Sequence, residues 1–151
     1  IFAEGDDPKV LRAAVMYQRA GLGKALVVGR EDDVRAKLEE AGMEDAVREL
    51  EVVNAANTQH LETYKDFLYG RLQRKGFDRK DIHRLASRDR HVFAALMLAH
   101  GHGDGLVTGA TRKSAHVLER LNHVFEANAE AGAAGVAAQG AHRLYRGHAG
   151  S

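Results

Sequence analysis

Short apolar runs alternate with longer stretches of helical periodicity along the 151 residues of this chain. A strand that is buried on both faces of a sheet has the form of such a run, and the stretches between the runs are long enough for crossover helices. Four runs have this form, at residues 1–3, 25–28, 51–53 and 105–107. The pattern therefore predicts an α/β fold, in which a mostly parallel sheet is flanked by helices in three layers.

Helix signals occupy the segments between these predicted strands. The first signal is the strongest, because Asp7 offers an N-cap, Pro8 fits the first helical position and Gly21 ends the helix. Further helices are predicted at residues 34–41, 61–75, 78–86, 92–99 and 113–127. The segment 92–99 is apolar on almost every side, so we expect that helix to be buried centrally.

Composition and charge exclude several classes of function. The chain carries 22 basic and 21 acidic residues, so neither nucleic acid nor an anionic membrane is expected as a partner. It contains no cysteine, which excludes disulfides, thiolate nucleophiles and thiolate metal ligands. No apolar run approaches the roughly 18–20 residues of a membrane helix and no signal peptide opens the chain, so we expect a cytoplasmic protein. Ile1 lies inside an apolar run, and we expect the sequence to begin within a domain.

The segment with the most chemical information runs from Gly103 into the last predicted helix. A strand that passes through a glycine-containing turn into a helix presents backbone amides and a positive helix end to an anion. Basic side chains at the start of that helix add charge-assisted contacts. We therefore predict a site for phosphate or pyrophosphate formed by Thr108, Gly109, Ala110, Arg112, Lys113 and Ser114. The alternative is a corner that needs its glycine only for geometry, and the segment matches neither a Walker A loop nor a GxGxxG motif.

A second strand-to-helix turn follows the first predicted strand, at residues 4–7. Its carboxylates would face a ligand crevice if they lay at the carboxyl edge of the sheet, where open α/β folds bind ligands. The interpretation that we favour is structural. Asp7 caps the first helix, and Glu4 and Asp6 are solvated residues of the turn.

Histidines mark two further places in the chain. His100 and His102, with Asp104 nearby, have a spacing that permits metal binding, but no third ligand stands at an obvious spacing. A histidine at the carboxyl end of a helix is favourable without a metal, so we predict capping rather than a metal site. His116 and His123 are seven positions apart on one helix face, where we expect surface or interface residues.

Several motifs, taken in their order along the chain, resemble the phosphate acetyl/butyryl-transferase (phosphotransacetylase) domain family. That family opens with a strand and the pattern E-G-x-D-x-R-V-L-x-A-A, followed by a strand ending in glycine, an R-x-x-K-G helix end, an apolar helix and an A-D-x-x-V-S-G-A loop. The matching segments are EGDDPKVLRAA at 4–14, VVG at 27–29, RLQRKG at 71–76, FAALM at 93–97 and DGLVTGA at 104–110. The segment VTGATRKSA at 107–115 is most similar to the form of the domain fused behind NADP-dependent malic enzymes.

The resemblance covers residues 1–138, the amino-terminal half of the family's domain. It implies a truncated phosphotransacetylase-like subdomain with the isocitrate/isopropylmalate-dehydrogenase-like fold. It also implies acetyl-CoA or acetyl phosphate as the ligand of the loop at 108–114, and a homo-oligomer for the full-length protein. No cofactor is expected within the fragment, because NADP and a divalent metal would belong to an upstream malic enzyme domain.

Two functions follow from the resemblance. One is acyl transfer between coenzyme A and phosphate, and the alternative is a non-catalytic regulatory and oligomerisation module of a malic enzyme. The Ser-Arg pair and the Asp of the family's active site lie in the absent second half, and the arginine that follows the loop is displaced or replaced in Leu118-Glu119-Arg120-Leu121. We therefore expect no catalysis by this chain alone. An unrelated nucleotide-binding α/β domain is a third interpretation, which would predict affinity for NAD(P) or ATP.

The end of the chain differs from the rest. After Gly140 the hydrophobic periodicity disappears, and arginine and histidine dominate. Codons for residues 138–150 can be written so that, read one base later, they encode HKGRTVYIGDTL, an alternating strand similar to the family's next strand. We therefore expect residues 139–151 to be a non-family tail produced by a frameshift, which the nucleotide sequence tests. The alternative is a natural divergent tail.

Overall fold

The computed structural model describes residues 1–111, 113–127 and 136–137. The helices of this part are α1 (Pro8–Arg19), α2 (Glu31–Glu40), α3 (Leu61–Leu72), α4 (Arg79–Arg88), α5 (Arg90–Ala99) and α6 (Ser114–Asn122). The strands are β1 (Leu26–Val28), β2 (Glu51–Val53), β3 (Glu126–Ala127) and β4 (Val136–Ala137), and 3₁₀ turns occur at Glu44–Arg48 and Gln73–Lys75. The expected frameshifted tail lies outside the described residues.

A small parallel sheet forms the centre of the fold. β1 pairs with β2 in parallel, with Val27 opposite Val52. On its other side, β1 meets Phe2, and Phe2 in turn meets Val107; each of these contacts is a single parallel bridge. The prediction of strands at residues 1–3 and 105–107 is therefore right in position and direction. Each segment, however, forms single bridges instead of a continuous run of strand pairing. The order across the sheet is β2, β1, the Phe2 segment and the Val107 segment.

Side chains alternate across this sheet and join two separate cores. Phe2 and Val27 point into a core that also contains the buried faces of α1 and α2. Ala3 and Val28, one position further along each segment, point into a second core built largely from α3, α4 and α5. Because successive residues of a strand face opposite sides, this alternation places helices on both faces of the sheet. The predicted three-layer α/β arrangement is confirmed.

Aspartate caps fix the starts of three helices, namely α1, α4 and, through Asp89, α5. Asp7 accepts hydrogen bonds from the amides of Lys9 and Val10 at the start of α1, as the sequence predicts. Asp78 forms a reciprocal capping box with Asp81 at α4. α5 lies in the middle of its core, with residues 91–97 all buried, which confirms the expectation for the apolar segment. Among the described residues, no helix is both long and apolar enough to cross a membrane.

The last helix is shorter than its sequence pattern indicates. The prediction extends it to residue 127, but α6 ends at Asn122 and the chain enters β3, which pairs with β4 in antiparallel register. Val124 and Phe125 turn inward at this point and are 2% and 3% exposed. Arg71 donates a hydrogen bond from Nε to the carbonyl oxygen of His123, so a positively charged side chain contacts the carboxyl end of the helix. Burial of Val124 and Phe125 therefore competes successfully with helical continuation.

Candidate functional site

The candidate site lies where the direction of strand order changes. From the Phe2 segment the chain moves to β1 on one side of the sheet, and it later returns to add the Val107 segment on the other side. In open α/β sheets, ligands bind outside the carboxyl ends of the strands at such a switch point. Two loops meet there, namely the turn at residues 4–7 and the switch-point loop, which we define as residues 108–111.

Glu4 joins these two loops. Its carboxylate accepts hydrogen bonds from the amide of Ala110 at 2.9 Å, the amide of Thr111 at 3.1 Å and the hydroxyl of Thr111 at 2.5 Å. The residue is 1% exposed, and it is one of the largest fully buried side chains of the described chain. Burial by itself raises the pKa of Glu4, but the hydrogen bonds from Thr111 and Ala110, together with nearby His91, outweigh it and lower the pKa. Glu4 is therefore a buried carboxylate held in its charged form.

The interpretation of Glu4 as a solvated turn residue is wrong, whereas Asp6 is exposed as expected. Glu4 is buried against the switch-point loop, and Asp6 forms an ion pair with Arg90 at the start of α5. The interpretation of Asp7 as an N-cap is right. The turn is also packed too closely for a side chain at Gly5, where a Cβ atom would lie 2.5 Å from the carbonyl oxygen of Val28. This close approach brings the turn against the end of β1.

A histidine from α5 makes the second contact with the switch-point loop. Nδ1 of His91 lies 2.6 Å from the hydroxyl oxygen of Thr108. His91 is 4% exposed, and burial lowers its pKa, which Asp89 and Glu4 only partly oppose. The neutral imidazole is thus favoured. His91 therefore holds Thr108 at the start of the loop, and Glu4 holds Thr111 at its end. The loop is held at both ends by buried side chains.

The residues predicted to bind an anion are found in different roles. Ala110 donates a hydrogen bond from its amide to the Glu4 carboxylate, and Thr108 contacts His91. Gly109 has a positive φ of 92°, which few residues other than glycine adopt. Lys113 is exposed and stands at the N-cap position of α6, where it makes no side-chain capping hydrogen bond. Ser114 is the first residue of that helix. Arg112 lies outside the described residues, so its part in the site stays a prediction.

The histidines after α5 are used in packing. Nδ1 of His100 lies 2.7 Å from the carbonyl oxygen of Leu96, so this ring caps the helix as the sequence predicts. His102 stacks on His60 with ring centres 4.1 Å apart, and its Nδ1 lies 2.5 Å from the hydroxyl of Tyr64. Burial raises the pKa of Tyr64 to about 12. In the part of the chain that the structure describes, no three acidic or histidine side chains are grouped as metal ligands.

The favoured interpretation of the sequence left Glu4 out of this site, although the alternative of a ligand crevice included it, and neither interpretation named Arg90 or His91. A polar signal was present for His91, because a histidine in a run that is otherwise apolar through Leu98 must find a partner when it is buried. Its partner, Thr108, is 17 positions away. No local signal distinguishes Glu4, because its partners follow it by more than 100 positions.

Two kinds of enzyme are similar to this chain over a part of their own length. An NADP-dependent malic enzyme of Rhizobium meliloti is 40% identical over 126 residues, which are 83% of this chain and 17% of that enzyme. A phosphate acetyltransferase of Acetivibrio thermocellus is 26% identical over 118 residues, which are 78% of this chain and 34% of that enzyme. The crystal structure of a phosphotransacetylase from Streptococcus pyogenes superposes with a TM-score of 0.72 and 25% identity, over 83% of this chain and 37% of the other.

The sequence profile described as phosphate acetyl/butaryl transferase matches residues 1–137. The match takes in the turn with Glu4, the buried helix α5 and the switch-point loop. The chain spans about a sixth of the malic enzymes and about a third of the phosphate acetyltransferases that it resembles. With its α/β fold and its similarity to both kinds of protein, the chain belongs to the phosphate acetyl/butyryl-transferase family.

Proposed function

We propose that this chain forms the phosphate-facing part of a site for acetyl phosphate and acetyl-CoA, within a phosphate acetyltransferase-like domain of a malic-enzyme polypeptide. One observation carries the proposal. The switch-point loop, fixed by Glu4 and His91, leads at the carboxyl edge of the sheet toward the start of α6. Lys113, at the N-cap position there, makes no side-chain capping hydrogen bond. A helix start that is open in this way attracts anions.

Glu4 determines which donors such a ligand would use. The amides of Ala110 and Thr111 already serve the Glu4 carboxylate, so they are not free for a phosphate. The Gly109 amide, the first amides of α6 and the ammonium group of exposed Lys113 are the donors that the described chain offers. Because Glu4 is negative, a ligand phosphate would be placed on the α6 side of the loop, away from that carboxylate.

The reaction that this arrangement supports is transfer of an acetyl group between phosphate and a thiol. The thiolate sulfur of coenzyme A attacks the carbonyl carbon of acetyl phosphate, a carbon–sulfur bond forms, and the carbon–oxygen bond to phosphate breaks with release of inorganic phosphate. Negative charge develops on the carbonyl and phosphate oxygens, and oriented amides and a cation stabilise it. The rest of the domain would supply the groups that activate the thiol.

A binding measurement on Lys113→Gln tests this proposal. One charge-assisted contact is lost, so the affinity for acetyl phosphate should fall by roughly tenfold, which corresponds to about 1.4 kcal/mol. Lys80→Gln serves as the control, because Lys80 is an exposed residue of α4 outside the loop and the substitution makes the same change of charge. If isothermal titration calorimetry gave the two variants equal affinities for acetyl phosphate, the loop would not be part of the proposed site.

A regulatory and oligomerisation module of a malic enzyme is the second candidate function. The identity to the malic enzyme, at 40%, exceeds the 26% identity to the phosphate acetyltransferase, and this difference favours it. A coupled assay on a polypeptide that contains the whole domain separates the two candidates. Formation of acetyl-CoA from acetyl phosphate would support the enzyme, whereas binding of acetyl-CoA without turnover, with a change in malic enzyme activity, would support regulation.

A further inference from the structure

The contact between Thr108 and His91 pairs a hydroxyl group with an imidazole ring at the carboxyl edge of the sheet. Nδ1 of His91 lies 2.6 Å from the hydroxyl oxygen of Thr108. A hydroxyl group within hydrogen-bond distance of a neutral imidazole can transfer its proton to that base, and such pairs supply the nucleophile in many acyl-transfer reactions. The two residues are 17 positions apart in the sequence, so the fold brings them together.

The two partners differ in exposure in the way that a nucleophile and its base require. His91 is 4% exposed, whereas Thr108 is half-buried. Thr108 also directly follows the Val107 segment, at the switch point where open α/β sheets bind ligands. The hydroxyl group of Thr108 is therefore the member of the pair that a ligand reaches.

The surroundings of His91 keep its imidazole uncharged. Burial is the largest influence on the pKa of His91 and lowers it from 6.5. Two nearby carboxylates, those of Asp89 and Glu4, raise this pKa. Two nearby cationic groups, those of Arg90 and His116, lower it. Because the net effect is a lowered pKa, the ring is a free base at neutral pH and is able to accept a proton.

The residue after Thr108 supplies a donor for the charge that a nucleophilic attack creates. Attack on a carbonyl carbon places negative charge on the carbonyl oxygen, and the backbone amide that follows a nucleophile is a common donor to it. Gly109 stands at this position, and in the part of the chain that the structure describes its amide donates to no backbone carbonyl. A nucleophile, a base and a donor to an oxyanion thus occur together.

We propose that Thr108 and His91 form a catalytic pair that hydrolyses an activated acetyl donor, such as acetyl phosphate, through an acetyl ester on Thr108. The inference rests on the proposed function for the choice of acetyl phosphate. The activity belongs to this chain alone and needs no coenzyme A, unlike acyl transfer, for which the rest of the domain is required.

The reaction has two steps. In the first, the Thr108 oxygen attacks the carbonyl carbon while His91 takes the hydroxyl proton. A carbon–oxygen bond to Thr108 forms, the carbon–oxygen bond to phosphate breaks, and the departing phosphate takes the proton from His91. In the second step, His91 removes a proton from water as the water oxygen attacks the ester carbon. The ester bond breaks, the Thr108 oxygen recovers a proton from His91, and acetate is released.

Release of phosphate from acetyl phosphate by the full chain, without coenzyme A, tests the proposal. We expect release to be faster than the spontaneous reaction. Thr108→Val and His91→Asn should each lower the catalysed rate by about 100-fold or more. Thr63→Val and His83→Asn, at exposed positions of α3 and α4, make the same substitutions elsewhere and should keep the native rate.

Two readouts on the native chain do not depend on whether a variant folds. Peptide mass spectrometry after a rapid quench should find an acetyl group on Thr108. The rate of phosphate release should rise with pH as His91 loses its proton and stay level above pH 6.5, because the pKa of His91 is lowered from that value. A merely structural contact between the two side chains would produce neither result.

Failure of this inference is distinguishable from failure of the proposed function. If acetyl phosphate shifts the amide signals of the switch-point loop but is hydrolysed only at the spontaneous rate, the phosphate site stands and the catalytic pair is wrong. If acetyl phosphate does not bind, p-nitrophenyl acetate still tests the pair, because it carries an activated acetyl group without phosphate. Acetylation of Thr108 by this ester would support the pair. The absence of acetyl-Thr108 with both donors, or a native rate in Thr108→Val, would overturn the proposal.

Discussion

Glu4 and Thr111 are 107 positions apart in the sequence, yet Oε1 of Glu4 lies 3.1 Å from the amide nitrogen and 2.5 Å from the hydroxyl oxygen of Thr111. This contact joins the end of the first strand segment to the loop after the Val107 segment. It places a buried negative charge where the loop amides would otherwise receive a ligand. The switch-point loop therefore takes its shape from an internal anion, and any external anion must bind beside it.

Removal of the Glu4 carboxylate should destabilise the protein. Glu4→Ala removes the charged acceptor of the amides of exposed Ala110 and Thr111, and each hydrogen bond to a charged group contributes about 1.5–3 kcal/mol. We expect the free energy of unfolding, measured with urea, to fall by about 2–5 kcal/mol. Glu39→Ala on the exposed side of α2 is the control, with an expected change below about 0.5 kcal/mol. A similar small change for Glu4→Ala would show that the carboxylate does not hold the loop.

The same carboxylate should make stability depend on acidity. Because hydrogen bonds lower the pKa of Glu4 below its ordinary value of 4.5, its contribution is complete above about pH 4.5. The contribution is lost as the pH falls through the lower pKa of the folded state. Between about pH 6 and pH 3.5, native protein should therefore lose more unfolding free energy than Glu4→Gln, in which that position carries no charge. Parallel pH profiles of the two proteins would contradict this assignment.

His91 should produce a second pH dependence, nearer neutrality. Burial lowers its pKa from 6.5, so the unfolded chain takes up a proton at a higher pH than the folded chain does. The stability that neutral His91 provides is complete above pH 6.5 and declines as the pH falls toward the folded-state pKa. His91→Asn should show a smaller loss of unfolding free energy between about pH 7.5 and pH 5.5 than native protein. Equal losses of unfolding free energy in native protein and His91→Asn over this range would contradict the assignment.

Local patterns in the sequence predict the elements of the fold but not the contacts that form the site. The strand at Glu51–Val53, the N-cap at Asp7 and the burial of α5 are all visible in short windows, because each depends on neighbours a few positions away. The bonds of Glu4 join residues more than 100 positions apart, and a Glu in a polar turn looks like any solvated residue.

The end of α6 shows the opposite failure, in which a local pattern misleads. Val117, Leu121 and Val124 keep a helical spacing, and Val124 and Phe125 are indeed buried, so the periodicity correctly marks the inward-facing residues. The chain nevertheless leaves the helix at Asn122. Packing of Val124 and Phe125 into the core that contains α3, α4 and α5 decides this boundary, and a pattern of apolar positions does not report whether the backbone between them remains helical.

Two glycines provide a matched test of the close approach at the end of β1. A Cβ atom at Gly5 would lie 2.5 Å from the Val28 carbonyl oxygen, so Gly5→Ala should lower the unfolding free energy by about 1–3 kcal/mol. Gly70 stands inside α3, where an added Cβ atom would have no neighbour within 4 Å, so Gly70→Ala should raise the unfolding free energy by about 0.5–1 kcal/mol. Thermal and urea unfolding measure both. A stabilising Gly5→Ala would contradict the packing of the turn against β1.

Amide chemical shifts of the switch-point loop during titration with acetyl phosphate test the central claim most directly. The account predicts that the amide signals of Gly109, Lys113 and Ser114 shift progressively with ligand, because Lys113 and Ser114 form the start of α6 and Gly109 belongs to the loop that precedes it. The amides of Ala110 and Thr111 should keep the downfield positions of donors to the Glu4 carboxylate. The absence of any shift at Gly109, Lys113 and Ser114 at saturating acetyl phosphate would contradict the claim that this loop binds the phosphate group.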